Sequence, residues 1–119
     1  MKEIRLLVVG AGSAGRMVVD EMRRRAEAGL VPVGFIDDDP AKIGATVAGL
    51  PVIGGRDAIP RAIRDTGAEE ILIALPSVHG GVIRDIMATC RSLRVAFTFA
   101  MTPPACGSTS CAPSAKYAL

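Results

Sequence analysis

Short, uninterrupted apolar runs alternate along this chain with longer segments whose apolar residues recur every three or four positions. The first run, "IRLLVV" (Ile4–Val9), is apolar almost throughout, as expected of a central strand covered on both faces. Over residues 13–28 the period becomes helical. Gly15, Val18, Val19, Met22 and Ala26 share one face, and Arg16, Asp20, Arg23, Arg24 and Glu27 fall largely on the other. Gly29 is placed to stop that helix as a left-handed cap. A second strand is predicted over residues 31–37, with Pro32 tolerated because it stands at the strand's start.

After "DDDPAKIGA" the pattern is less regular. A turn or two of helix is expected to open at Pro40, followed by a short strand over residues 50–53 that Gly54 and Gly55 end. Asp57 then reads as the N-cap of a helix running to Thr66, with Pro60 in its first turn and Gly67 closing it. A strand over residues 70–76 follows. A helix over 81–93 comes next, with Val82, Ile83, Ile86, Met87, Cys90 and Leu93 as its buried stripe, and a last strand covers 94–99. Strands alternating with helices through short loops predict an α/β domain over residues 1–100. Its expected form is a Rossmann-like open parallel β-sheet of about five strands with helices on both faces. Residues 101–119 have three prolines, no acidic group and neither period, and read as an irregular tail.

Composition narrows the function classes. The chain has 119 residues, half of them apolar, with aromatics at 3% and no Trp, which leaves Val, Ile, Leu and Ala to build a single core. A net charge of +2 is too near neutral to point to a nucleic-acid partner, and the cluster Arg23–Arg25 suits the C-terminal end of a helix dipole. No run approaches the ~18 apolar residues of a membrane span, and no signal peptide precedes the first strand. Three cysteines without framework spacing fit a reducing cytoplasm. Cys90 falls on an apolar helix face, and Cys106 with Cys111 offers two soft ligands where a structural zinc takes four.

The candidate chemistry begins where the first strand ends, in "GAGSAG". Gly10 permits the tight turn, Gly12 lets backbone approach a diphosphate, and Gly15 lets the helix pack close to the sheet. Amides around Ala11, Gly12, Ser13, Ala14 and Gly15 then face a phosphate from the positive end of the helix, with Arg16 at the rim. The motif follows a strand, opens a helix, and is followed 22 positions after Gly15 by Asp37 at the second strand's end. That is near the ~20-residue spacing of a carboxylate that accepts from a ribose diol. A carboxylate there repels a 2′-phosphate, so NAD is preferred over NADP as cofactor. Asp38 and Asp39 serve either as turn caps or as ligand contacts, capping being the commoner use of Asp before Pro. A second cluster is the loop "LPSVHGG" at the carboxyl edge of the sheet, where Pro76 and Ser77 lie near the ligand crevice. Ser77 suits a ribose or phosphate contact and equally a backbone turn. His79, the sole histidine, has no nucleophile or carboxylate partner in view and reads as a surface residue. A Tyr-x-x-x-Lys pair is absent, so no agent for acid–base chemistry on a bound sugar is evident.

The segments "VVGAGSAGRMVVDEM", "PVGFIDDDPAKIGATVAGLPVIGG" and "EEILIALPS" together resemble the N-terminal nucleotide-binding domain of the CapD-like polysaccharide biosynthesis proteins, over about residues 4–99. The resemblance implies a relation to nucleoside-diphosphate-sugar epimerases and dehydratases. In the long members of that family membrane helices precede this domain, and a second domain carries the catalytic Tyr/Lys and the bound NAD. It therefore implies a nucleotide-binding half, cytoplasmic, acting with a catalytic domain or partner chain and as a homo-oligomer, and not itself catalytic. Similar openings occur in nucleotide-sugar-binding halves of acyltransferases and in small CoA-binding domains, so UDP-sugar and CoA stand as alternative ligands. Two further readings remain: a small oxidoreductase or dehydratase completed by another chain, and a nucleotide-sensing regulatory module. The segment after Phe99 departs from the family's usual continuation.

Overall fold

Alternating inward and outward side chains along β1 (Ile4–Val9) set the architecture. Leu6 and Val8 point to one side of the sheet and meet Val18, Val19 and Met22 of α1 (Ser13–Arg24), together with Phe35. Leu7 and Val9 point to the other side and meet Ile59, Ala62, Ile86 and Cys90. Leu6, Leu7 and Val8 are wholly buried, which stabilises the fold by roughly 1.5–3 kcal/mol per side chain. A strand buried on both faces belongs in the middle of a sheet, and β1 lies there.

The structure is a computed structural model and describes residues 3–75 and 80–99. After α1 come β2 (Leu30–Ile36), β3 (Thr46–Val47), β4 (Leu50–Gly54), α2 (Ile59–Thr66), β5 (Glu70–Ile73), α3 (Gly80–Leu93) and β6 (Ala96–Phe99). The described strands form one six-stranded sheet in the order β3-β4-β2-β1-β5-β6, parallel except where β3 meets β4. Helix α1 covers one face and α2 with α3 the other. The chain runs outward from β1 through β2 to β4, then crosses back to place β5 on the other side of β1. Such a reversal opens a crevice at the carboxyl ends of the two diverging strands, here beyond Val9 and Ile73.

Several expectations are corrected. No helix opens at Pro40. Asp39 Oδ1 accepts the Ala41 N–H at 3.0 Å, the Asp39 carbonyl accepts the Lys42 N–H at 2.9 Å, and Gly44 takes φ +86°, so the turn cannot propagate. The chain makes a hairpin instead, with left-handed Ala48 (φ 51°) and Gly49 (φ 80°) as its two-residue turn. This adds the antiparallel edge strand β3 that the alternating pattern did not suggest. Helix α1 ends at Arg24, because the Arg25 N–H is shared between the Glu21 and Met22 carbonyls and residues 26–28 tighten into a 3₁₀ turn that Gly29 (φ 79°) closes. Ala26 is consequently exposed rather than core.

Pro32 lies inside β2, and the ladder to β1 shifts register between Leu6 and Leu7, a bulge that accommodates the missing donor. Asp57 does not cap α2. It sits within a 3₁₀ turn over residues 56–58, and that turn's Arg56 N–H is taken by the Asp38 carboxylate at 2.8 Å. Leu93, at the end of α3, is 38% exposed. No helix among the described residues is long and apolar enough to cross a membrane.

Candidate functional site

The three glycines of "GAGSAG" are held for different reasons. Gly10 has φ +110°, and a Cβ there would stand 2.7 Å from the Ala74 carbonyl oxygen on the neighbouring strand end. At Gly15 a Cβ would overlap the Gly10 carbonyl, because the first turn of α1 presses directly on the loop beneath it. The fold itself therefore excludes side chains at both positions. Gly12 differs. Its φ of −88° is open to any residue, and among the described residues a Cβ would meet only Lys42 Nζ, at 3.8 Å. Nothing in the described packing requires a glycine there, and the missing side chain leaves backbone bare at the mouth of the crevice.

That backbone is the start of α1. The first intrahelical bond runs from the Arg16 N–H to the Gly12 carbonyl at 3.0 Å, so the amides of Ser13, Ala14 and Gly15 precede the helical ladder, and no side chain caps them. Donors of this kind, at the positive end of a 12-residue helix, suit an anion. A bare Gly12 and uncapped amides fit the diphosphate of a nucleotide. Ala11, Ala14 and Gly15 are buried within the turn, and Ser13 and Arg16 are exposed at its rim.

Asp37 leaves the end of β2 and is 15% exposed. Its Oδ2 accepts the Ala11 N–H at 2.9 Å and its Oδ1 accepts the Asp39 N–H at 2.9 Å, which ties the glycine turn to the β2 end. Lys42 Nζ stands 3.7 Å from Asp37 Oδ2. Asp38 turns the other way. Its Oδ2 lies 2.7 Å from Arg56 Nε, and Arg56 Nη1 donates to Asp85 Oδ2 of α3 at 2.8 Å. Asp38 and Arg56 of this clasp border a cleft of about 170 Å3 whose apolar lining is Val9, Ile36, Leu75, Val82 and Ile86 and whose polar lip is Asp37, Asp38 and Arg56. Outside the clasp lies a more open groove of about 560 Å3 that includes Asp57, Ala88 and Thr89.

The structure thus brings Gly10, Ala11, Gly12, Ser13, Ala14, Gly15 and Asp37 to one place, with Arg16 one turn into the helix and Asp38 committed to Arg56. Pro76, Ser77 and His79 lie outside the described residues, as do Cys106 and Cys111. Lys42, Arg56 and Asp85 escaped the sequence reading. Arg56 directly follows the carboxyl end of β4, a position that borders the crevice in this architecture. Lys42 was hidden by the helix expected around it, and no sequence signal marks Asp85. Among the described residues no group of three His, Cys, Asp or Glu side chains is placed to hold a metal ion. Arg24 and Arg25 both pair with Glu21, at 3.4 and 2.8 Å, as a solvated helix end would.

Comparison with known proteins places these features in context. A family model described as a CoA-binding domain matches residues 2–100. The probable polysaccharide biosynthesis protein EpsC of Bacillus subtilis (strain 168) is 37% identical over 86 residues, covering 72% of this chain and 14% of that protein. The capsular polysaccharide biosynthesis protein CapD of Staphylococcus aureus is 32% identical over 85 residues, 71% of this chain and again 14% of the relative. The redox-sensing transcriptional repressor Rex of Thermotoga petrophila is 34% identical over 84 residues, 71% of this chain and 40% of its own length. The chain therefore spans a minor part of each of these relatives. Among solved structures, UDP-D-quinovosamine 4-dehydrogenase from Vibrio fischeri superposes with a TM-score of 0.74 at 27% identity, covering 82% of this chain and 77% of that one. RSP, a Rex-family repressor solved also in complex with beta-NADH, shares the fold at 16% identity and a TM-score of 0.61, over 74% of this chain and 41% of its own.

Proposed function

Because the chain belongs to the CoA-binding domain family, we propose that it is a binding module for a nucleoside diphosphate, with NAD its preferred ligand, serving a nucleotide-sugar-modifying protein of polysaccharide synthesis. Its Rossmann-like fold and its relation to polysaccharide biosynthesis proteins are the frame for that reading. The observation that carries it is Gly12. Nothing in the packing of the described residues needs a glycine at this position, whereas a diphosphate approaching the amides of Ser13, Ala14 and Gly15 does. Asp37, anchored beside the turn, retains lone pairs for a ribose hydroxyl and opposes a 2′-phosphate, which favours NAD over NADP.

The module's part is to bind and orient. Uncapped amides hold the diphosphate, the β2 carboxylate holds the ribose, and the apolar cleft behind Asp37 and Asp38 is shaped to keep water from a flat base. Chemistry on a sugar falls to a catalytic domain or partner chain, with the module working in a homo-oligomer. CoA, named by the family description, and UDP-sugars share the diphosphate and are the competing ligands. The Rex relatives support a nucleotide-sensing role as the second reading.

A thermal-shift panel with NAD, NADP, CoA and UDP-sugars separates these. At 100 times its Kd a true ligand stabilises the fold by about 2.7 kcal/mol. NAD is expected to raise the midpoint more than NADP. Equal and negligible shifts with all four classes would sink the nucleotide reading.

A further inference from the structure

We propose that Lys42 is the residue that neutralises the ligand's diphosphate, giving up its contact with Asp37 for a phosphate oxygen when a nucleotide binds; this rests on the nucleoside-diphosphate reading above. Two positions fix the ammonium over the glycine turn. Nζ is 3.7 Å from Asp37 Oδ2, and a Cβ built on Gly12 would lie 3.8 Å from the same Nζ. The only atom of the described chain near that hypothetical Cβ is therefore a cation.

The separation from Asp37 is longer than the 2.7–3.2 Å of an N–H···O hydrogen bond, so the pair attracts without a committed donor–acceptor bond. Asp37 itself is occupied by the Ala11 and Asp39 amides and does not depend on Lys42 for its place.

The backbone that delivers Lys42 is fixed on both sides. The Lys42 N–H is bonded to the Asp39 carbonyl and its own carbonyl accepts the Ala45 N–H, each at 2.9 Å. Gly44 and Ala45 are in turn bonded to Val52 on β4 at 2.9 Å. A rigid root with a flexible four-carbon stem lets the ammonium move by a few ångströms without rearranging the turn. Moving it onto a phosphate joins a mobile cation to the fixed partial positive charge of α1, and leaves the free lone pair of Asp37 Oδ2, beside the one that accepts the Ala11 N–H, open to a ribose hydroxyl. Lys42 then sorts ligands by their diphosphate and is indifferent to the base, which suits a site whose candidates, NAD, CoA and UDP-sugars, share a ribose-linked diphosphate and differ in the base.

The test measures binding of ADP and UDP to the full chain by calorimetry, for wild type, Lys42→Met and Lys42→Arg, at low and moderate salt. Whichever nucleotide binds wild type is expected to lose about tenfold or more in affinity with Lys42→Met and to keep most of it with Lys42→Arg. The salt dependence of binding is expected to flatten in Lys42→Met, because one screened charge contact has gone. Unchanged affinity in Lys42→Met, or a loss that leaves the salt dependence of wild type intact, overturns the assignment while leaving the nucleotide reading in place. Failure of wild type to bind either nucleotide overturns that reading and this inference together.

Discussion

Replacing Gly12 and Gly15 by Ala, one at a time, separates what the glycine turn does for the fold from what it does for a ligand. At Gly15 the new methyl overlaps the Gly10 carbonyl, a backbone group that cannot rotate out of the way. Overpacking of this kind costs up to about 3 kcal/mol. Ala recovers about 1 kcal/mol over Gly inside a helix. The net loss is about 2 kcal/mol, a drop in Tm of roughly 8 °C at 4 °C per kcal/mol. At Gly12 the backbone is already extended, at φ −88° and ψ −161°, and among the described residues the methyl touches only the flexible Lys42 ammonium. A stiffer unfolded chain gains about 0.4–1 kcal/mol, offset by the poorer N-cap that Ala makes. The two nearly cancel, so Gly12→Ala is expected to melt within about 3 °C of wild type. Its methyl nonetheless occupies the approach to the Ser13 and Ala14 amides, and nucleotide affinity is expected to fall about tenfold or more, some 1.4 kcal/mol. Circular-dichroism melts with calorimetric titration of NAD decide it. If Gly12→Ala binds like wild type, or melts as low as Gly15→Ala, the division of labour among the glycines is wrong.

Three further outcomes are expected. Asp37→Arg removes the acceptor of the Ala11 and Asp39 amides and is expected to cost about 1–3 kcal/mol, while lowering the NADP-to-NAD ratio of Kd about tenfold; an unaltered ratio in titrations of both dinucleotides would contradict the role given to Asp37. Arg56→Met opens the clasp to Asp38 and Asp85, but all three side chains are at least a third exposed, so urea denaturation should register about 1 kcal/mol or less, and a loss above about 3 kcal/mol would mean that the clasp is structural. Burial pushes the Cys90 thiol up from 9.0 to about 11. The folded value exceeds the unfolded one, so this contribution is fully present below pH 9 and is lost as pH rises through 11; the stability gap between wild type and Cys90→Ala should narrow by about 2 kcal/mol over that window, and a constant gap refutes it.

Some elements were legible because a local rule and the tertiary fold agree. The doubly buried run of β1 needs no partner information to be read as a central strand, and Gly29 and Gly67 end their helices in the left-handed conformation that glycine favours. The strand over residues 50–53 was legible, but its hairpin partner β3 was not. Ile43, Val47 and Leu50 recur at helical spacing, yet Gly44 at φ +86° and the Gly44–Val52 bond turn that segment into an edge. Asp57 looked like a cap by sequence position, but it lies inside the 3₁₀ turn and no side chain caps α2, whose N-cap position is Ala58. Lys42 and Arg56 reach the β2 end only because the turns carrying them go where long-range backbone bonds send them. Asp37 was readable from its spacing to the glycines; the partners that neutralise Asp37 and Asp38 were not.

The wall behind Gly10 is the carbonyl of Ala74, 64 positions further along the chain. Strand β1 likewise has β5 as one of its two neighbours, paired from Leu6 with Glu70 to Val9 with Ile73. Every residue of the glycine motif, and the carboxylate that faces it, has therefore left the ribosome long before the turn can take its shape. A nascent chain cut at residue 69 carries the whole motif without the strand that closes it. Such distant pairing is late and slow in folding. The glycine turn in this sense takes its final shape when β5 docks, and not when the glycines appear.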